Sequence, residues 1–241
     1  MSDLRIYVDA LLEPGSDVLL PESAARHVVT VLRQREGAPL VLFDGRGLEA
    51  TAVLVEVNRK RVLARVDSVS PGRSESPLAV HLGQAVSKGD RMDYAIQKAV
   101  ELGVAAITPL YTVRGDVRLK SEREAKKHTH WQAVAVSACE QCGRATVPRI
   151  HSPRPLQDWL AARDEPLRLV LHPATKSSWR EAEDVRKAAL LIGPEGGLSE
   201  EEVIRAQQAG FTALTLGPRI LRTETAPVVA LSLLQHYFGD L

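Results

Sequence analysis

The pattern of apolar and polar positions changes its period part-way along this chain. Up to about residue 70 the apolar runs are short and several alternate, as in Arg5-Ile6-Tyr7-Val8, Leu40-Val41-Leu42-Phe43, Thr51 to Val57 and Arg61 to Val66. Alternation at a period of two predicts strands with one face buried. Asp44-Gly45-Arg46-Gly47 and Asn58-Arg59-Lys60 supply turns between them. One helical pattern interrupts the strands: Pro21 stands at its entry, and Ala24, Val28, Val31 and Leu32 fall on one face, predicting a helix from Pro21 to Arg33. Four or more short strands with one helix predict a small barrel or half-barrel.

Ser70-Pro71-Gly72-Arg73-Ser74-Glu75-Ser76-Pro77 is rich in turn formers and poor in apolar residues, so it reads as a linker. It sets the expected division at 1–72 and 73–241. Beyond it strand and helix patterns take turns: a strand at Leu78–Leu82, a helix from Asp90 to Leu102, a strand at Ala105–Pro109 and a long helix from Ser121 to Glu140. Strand patterns ending near His172, Ile192 and Leu216 follow. That order predicts an α/β domain with a mainly parallel sheet.

Two of these strand ends carry the same punctuation. Leu190-Leu191-Ile192-Gly193-Pro194-Glu195-Gly196-Gly197 and Leu214-Thr215-Leu216-Gly217-Pro218-Arg219-Ile220-Leu221-Arg222 each break at Gly-Pro before a helical pattern resumes. Glycine lets backbone approach a ligand closely, and proline stiffens the turn. Neither loop matches a Walker or a dinucleotide fingerprint. Ser199 followed by Glu200, Glu201 and Glu202 reads as a capping box, which puts three carboxylates at the positive end of a helix running toward Gly210. Phosphate would be repelled there, so the loops fit a neutral or cationic small molecule.

Composition narrows the class without deciding it. At 44% hydrophobic and 25% charged residues the chain is that of an ordinary soluble globular protein. No apolar run approaches the ~18 residues of a membrane span, and Met-Ser-Asp-Leu-Arg has no signal-peptide pattern, so a cytoplasmic protein without a membrane partner is expected. Cys139 and Cys142 form a C-x-x-C with only His128 and His130 nearby, which favours two reduced thiols over a metal site. The net charge of +1 does not announce nucleic-acid binding, although residues 78–150 hold eleven Lys/Arg against seven Asp/Glu. Aromatic residues are 4% of the chain, too few for a base-stacking platform. Phosphate contacts with a single pocketed base fit better.

Arg222-Thr223-Glu224-Thr225-Ala226-Pro227 opens the last helical pattern, with Thr223 or Thr225 as N-cap. Arg222 and Glu224 stand at the mouth of the crevice that the glycine loops would form, or else are solvated charges beside a cap.

Taken together, Arg5-Ile6-Tyr7, His27 to Arg33, Leu42-Phe43-Asp44-Gly45, Gln97 to Gly103, Ala138-Cys139-Glu140-Gln141-Cys142-Gly143-Arg144, Leu191 to Ser199 and Leu216 to Thr225 closely resemble the bacterial ribosomal RNA small-subunit methyltransferase E family. The resemblance spans nearly the whole chain. It implies a PUA-like RNA-binding β-barrel over 1–72 and a SPOUT-type α/β domain over 73–241, with a trefoil knot over about 167–241. It implies a homodimer that uses S-adenosyl-L-methionine to methylate N3 of a uridine in 16S rRNA of the small ribosomal subunit, with no metal. The cofactor contacts it implies are Leu171, His172, Ile192, Gly193, Pro194, Glu195, Gly196, Gly197, Leu216, Gly217, Ile220, Leu221, Arg222, Thr225 and Ala226. Arg222 is expected to hold the extruded uridine or its developing charge. His172 and Glu224 are the candidate bases, with a water or the RNA itself as alternatives. Arg5, Arg26, Arg33, Arg91, Lys98, Arg114 and Arg144 are the expected RNA contacts. The alternatives are an RNA-binding assembly factor with a vestigial pocket and a SPOUT enzyme acting on another nucleoside.

Overall fold

The alternating runs of the first part of the chain form one mixed sheet. The structure is a computed structural model describing residues 4–115, 117, 121–172, 179 and 182–241, without the side chain of Ser121. It separates into two units, Met1–Glu75 with Cys139–Val147, and Ser76–Ala138 with Pro148–Leu241.

In the first unit β1 (Arg5–Tyr7), β2 (Asp17–Leu19), β3 (Pro39–Phe43), β4 (Leu48–Val57) and β5 (Val62–Pro71) lie in the order β1-β3-β4-β5-β2. β1 runs parallel to β3 and the other pairs are antiparallel. Ala50, Ala52 and Leu54 of β4 and Val62, Ala64 and Val66 of β5 face the core with Ile6, Leu40 and Leu42. Register shifts at Thr51/Ala52 and Leu54/Glu56 mark bulges, which increase strand twist and curl the sheet into a half-barrel.

The expected helix from Pro21 to Arg33 is realised differently. α1 (Glu22–Arg26) passes into a π turn over His27–Val31, closed by the Leu32 N–H donating to the His27 carbonyl at 3.0 Å. The wider turn shifts the phase of the apolar face. Val28 is buried, whereas Val31 and Leu32, expected beside it, are exposed, and the chain leaves the turn through Arg33 at φ 51°.

The turn-rich stretch after β5 is pinned rather than slack. Gly72 N–H donates to the Gly47 carbonyl, and Glu75 accepts from Arg144 at 2.8 Å and from the Thr146 N–H at 3.0 Å. The residues around the C-x-x-C complete this unit: Glu140 accepts from the Tyr7 N–H at 3.1 Å, and the Val147 N–H donates to the Gly45 carbonyl. Burial pushes the Cys139 thiol up to about 12, so it stays protonated. Cys139 and Cys142 are free thiols.

The second unit contains β6 (Ala79–Ala85), α2 (Arg91–Glu101), β7 (Ala106–Tyr111), most of α3 (Ser121–Cys142), β8 (Arg149–Ile150), β9 (Arg154–Pro155), α4 (Leu156–Ala161), β10 (Leu167–Leu171), β11 (Lys187–Ile192), α5 (Glu200–Gln208), β12 (Thr212–Leu214) and α6 (Thr225–Phe238). Among the described residues its sheet has seven strands, all parallel, in the order β12-β10-β11-β6-β7-β8, with β9 also on β7. Strands covered on both faces lose alternation, and Ala188 to Ile192 of β11 are all buried. The chain steps outward from β6 to β7 and β8, then returns to build the other half from β10 to β12. The order therefore reverses between β6 and β11, which is where open α/β sheets bind ligands, beyond the carboxyl ends of the strands.

The opposite, amino-terminal part of β6 holds a buried polar cluster. His81 Nδ1 accepts from Arg163 Nη1 at 2.5 Å, so His81 Nε2 carries the proton and donates to Thr108 Oγ1 at 2.8 Å. Burial, then the Arg163 charge, pushes His81 down to about 3. Between pH 6.5 and 3 the unfolded chain binds a proton at His81 that the folded chain refuses, so stability falls as pH falls through that window. The expected loss is on the order of 1 kcal/mol per pH unit for this one site. Urea denaturation at pH 7 and pH 5 checks it: His81→Asn is expected to show a shallower pH dependence than the unaltered chain.

Candidate active site

The residues expected to hold a cofactor follow the carboxyl ends of neighbouring parallel strands. Leu171 and His172 close β10, Ile192 closes β11 and leads into Gly193–Gly197, and Leu216–Arg222 follow β12 on the way to Thr225 and Ala226 at the start of α6. The segment from 215 to 224 crosses the carboxyl ends of three strands and is tied to each. Thr215 Oγ1 donates to the His172 carbonyl at 3.2 Å, Thr223 Oγ1 donates to the Gly193 carbonyl at 2.8 Å, and Gln84 Nε2 of β6 donates to Thr223 Oγ1 at 3.1 Å. The two glycine loops are thus joined through one hydroxyl.

Thr223 was a candidate N-cap, and the structure assigns it this other task. Glu224 occupies the N-cap position of α6, no side chain caps the helix, and the Thr225 and Ala226 N–H groups turn back to the Arg222 carbonyl. The reason is competition: a hydroxyl buried between Gly193 and Gln84 is already satisfied in both of its roles.

The Ser199 capping box forms as the spacing predicts. Ser199 Oγ accepts from the Glu202 N–H at 3.2 Å, and Glu202 Oε2 accepts from the Ser199 N–H at 2.8 Å. Glu202 also accepts from the Val113 N–H at 2.8 Å, so it locks the glycine loop to the chain after β7. Within the loops Gly197 (φ 70°) and Gly217 (φ 89°) hold left-handed backbone that a side chain would strain.

Two of the expected RNA contacts are found on the first glycine loop. Arg91 donates to Glu195 at 2.6 Å, and Arg114 Nη1 donates to the Gly196 and Leu198 carbonyls at 3.3 and 3.4 Å. Lys98 is paired with Glu101 at 2.7 Å on α2. In the first unit Arg26 is an exposed i,i+4 partner of Glu22, and Arg33 is exposed. Arg5 and Arg144 are a different matter: Arg5 is paired with Glu49 at 3.0 Å and donates to the Arg144 carbonyl, while Arg144 is 4% exposed and bound to Glu75. Enclosed guanidiniums with carboxylate partners are poorly placed to meet a phosphate. In this structure both guanidiniums hold the half-barrel together.

Arg222 is exposed, Glu224 is half-buried and neither makes an ion pair among the described residues; His172 is half-buried and donates its backbone N–H to the Leu214 carbonyl. Ile220, between the two loops' ends, is 94% exposed. Sequence reasoning missed Gln84. Its signal was a polar residue near the carboxyl end of a mostly apolar strand; it is 1% exposed, and its Oε1 is buried without a hydrogen-bond partner among the described residues.

The crevice fits S-adenosylmethionine. The first loop leads into an acidic helix start and holds no phosphate cradle, chemistry that suits a sulfonium and an amine and disfavours a phosphate. No group of His, Cys, Asp and Glu able to hold a metal occurs among the described residues, where His128 bonds the Ile150 carbonyl and His130 bonds Asp93. No described helix is long and apolar enough to cross a membrane.

Comparison with known proteins agrees with this geometry. An RNA methyltransferase domain model matches residues 74–235, and an RNA methyltransferase PUA domain model matches residues 20–67. The class is therefore that of RNA methyltransferases built from a PUA-like half-barrel and a SPOUT-type parallel sheet. Ribosomal RNA small subunit methyltransferase E of Buchnera aphidicola from Schizaphis graminum is 36% identical over 239 residues, covering 98% of this chain and 97% of that protein. Its Bacillus subtilis counterpart is 34% identical over 220 residues, covering 87% and 86%. The chain belongs to the ribosomal RNA small subunit methyltransferase E family. Among solved structures, the Neisseria gonorrhoeae member bound to S-adenosyl methionine superposes with a TM-score of 0.93 at 38% identity over 100% of both chains. A Legionella pneumophila protein in complex with the same cofactor gives 0.96 at 45% identity, again over 100% of both.

Proposed function

We propose that this protein transfers the methyl group of S-adenosyl-L-methionine to N3 of a uridine in 16S rRNA of the small ribosomal subunit. The observation that carries the reading is the reversal of the sheet, beyond whose strand ends loops 193–198 and 215–224 are joined through Thr223. Family membership, and relatives crystallised with that cofactor, support it.

When bound, the cofactor supplies an electrophilic methyl on a sulfonium, open to in-line displacement. The protein's own part is alignment, together with management of the N3 proton. Arg222, exposed and without an ion pair among the described residues, is the group we assign to stabilise the negative charge that develops on the uracil ring as N3 loses its proton. Glu224 and His172 are the candidates to accept that proton. Arg222→Ala is expected to lower the single-turnover rate by about 100-fold.

The reading extends to a cytoplasmic homodimer and to a trefoil knot in the region 167–241. The return of the chain from the edge strand β12 across the ends of β10, β11 and β6 supports the knot. Nucleoside mass spectrometry of rRNA from cells lacking the protein tests the whole: loss of 3-methyluridine is the expected result, and its retention would refute the assignment.

A further inference from the structure

The outer edge of the parallel sheet carries a row of basic side chains that the glycine loops do not use. Arg149 of β8 pairs with Ala106 of β7, and Arg154 of β9 pairs with Leu110, so five residues of the edge advance beside four of β7. Between them His151 continues the ladder, its N–H donating to the Ile107 carbonyl at 2.8 Å. The extra residue in the edge is a bulge, and it re-aims a side chain. Without it the alternation of a strand would turn Arg154 away from Arg149 and His151; with it all three fall on one face. His81, which pairs with Ala106 from the other side of β7, lies on that face too, and the His151 ring stacks on it at 5.2 Å and 13°.

Arg149 is exposed, His151 and Arg154 are half-buried, and none of the three makes a side-chain hydrogen bond or ion pair among the described residues. Arg163, at the end of α4, adds a further charge but is committed to His81 and Glu165. Burial, then the Arg149, Arg154 and Arg163 charges, push His151 below the ordinary histidine range, so its ring is neutral at pH 7 and offers one N–H. The charges acting on it are of one sign. Like charges gathered along an edge repel, and a polyanion laid along them relieves that repulsion while releasing its own counterions. Alternate residues on a strand are roughly 6.6 Å apart, close to the step between successive phosphates of an RNA strand. The row also leads somewhere: β7 runs on to Val113 and Arg114, which bond Glu202 and the first glycine loop, so it climbs toward the end of the sheet where those loops lie.

We infer that Arg149, His151 and Arg154 form a docking track for the backbone of the substrate RNA, the two guanidiniums and the histidine N–H holding neighbouring phosphates. The inference rests on the function proposed above and adds to it a contact surface on the edge of the sheet. Phosphate contacts carry no sequence information; they fix register and orientation, which a base presented to loops at the end of the sheet requires.

The test reads binding by the full chain rather than methylation. Arg149→Ala with Arg154→Ala is expected to flatten the dependence of log affinity on log salt by roughly 1.4, the share of two phosphates on a single strand, both for a labelled oligouridylate and for small subunits lacking the modification. Its thermal midpoint is expected not to fall, because repulsion along the edge is relieved. Arg149→Lys with Arg154→Lys keeps the charges and is expected to keep the slope. Arg186→Ala with Lys187→Ala removes two exposed cations at the start of β11 and controls for net charge; its slope is expected to match that of the unaltered protein. An unchanged slope in the alanine variant, or an equal loss in the control, overturns the inference even if 3-methyluridine is still made. A slope lost on subunits alone, with oligouridylate unaffected, assigns the row to a protein face of the subunit and overturns it too. Slopes that fall as expected while cells lacking the protein retain 3-methyluridine uphold the track and overturn the proposed function instead.

Discussion

Thr223→Val is expected to weaken S-adenosylmethionine binding at least tenfold and to lower stability by about 2 kcal/mol, although it removes a single oxygen and keeps the side-chain shape. Thr223 is 5% exposed, and its hydroxyl plays two parts at once, accepting from Gln84 Nε2 and donating to the Gly193 carbonyl. Valine leaves both partners short. Gln84 is already under-satisfied at Oε1, and its Nε2 would retain only the Ala85 carbonyl at 3.3 Å. The Gly193 carbonyl would lose its donor at the point where the chain leaves β11. With that link gone the two loops are no longer held to one spacing, and the cost of ordering them falls on ligand binding. Thr223→Ser keeps the hydroxyl and is expected to behave almost as the unaltered protein. Calorimetric titration with cofactor and thermal denaturation read the two effects separately. Equal affinity in the valine and serine variants would mean that the link is dispensable.

This link also marks where the sequence stopped being readable. Ser199 and Glu202 lie three residues apart, so their reciprocal bonds are a local matter and the spacing alone predicts them. The all-buried run of β11 is legible for the same reason: a strand covered on both faces writes its environment into consecutive residues. Gln84 and Thr223 are 139 positions apart, and nothing local says that a threonine with cap-like neighbours bonds a distant glutamine instead. The π turn at His27–Val31 is hidden too, because one extra residue per turn changes the phase of an apolar face without changing its composition. Charges were the least readable of all. Arg91 and Arg114 bond the first glycine loop, which their positions in the sequence do not tell; a formal charge on paper carries no information about its partner.

Arg144 shows what such a partner does, and Glu75→Ala is expected to destabilise the protein by about 3 kcal/mol. Arg144 donates to Glu75 at 2.8 Å with its side chain only 5% exposed, whereas Glu75 is 31% exposed. The asymmetry decides the sign of the comparison. Removing Glu75 takes the carboxylate from an enclosed cation and the acceptor from the Thr146 N–H as well. Removing Arg144 leaves a carboxylate that water can still solvate and that keeps the Thr146 bond, so Arg144→Ala is expected to cost less, about 1–2 kcal/mol. The double variant should cost less than the sum of the two single variants, because the buried cation is absent from it, and more than Arg144→Ala alone by the loss of the Thr146 bond. Urea denaturation of the three variants supplies the numbers. An arginine that served chiefly to hold RNA phosphate would give the opposite pattern: Arg144→Ala would leave stability untouched and reduce the salt dependence of RNA binding by about one counterion.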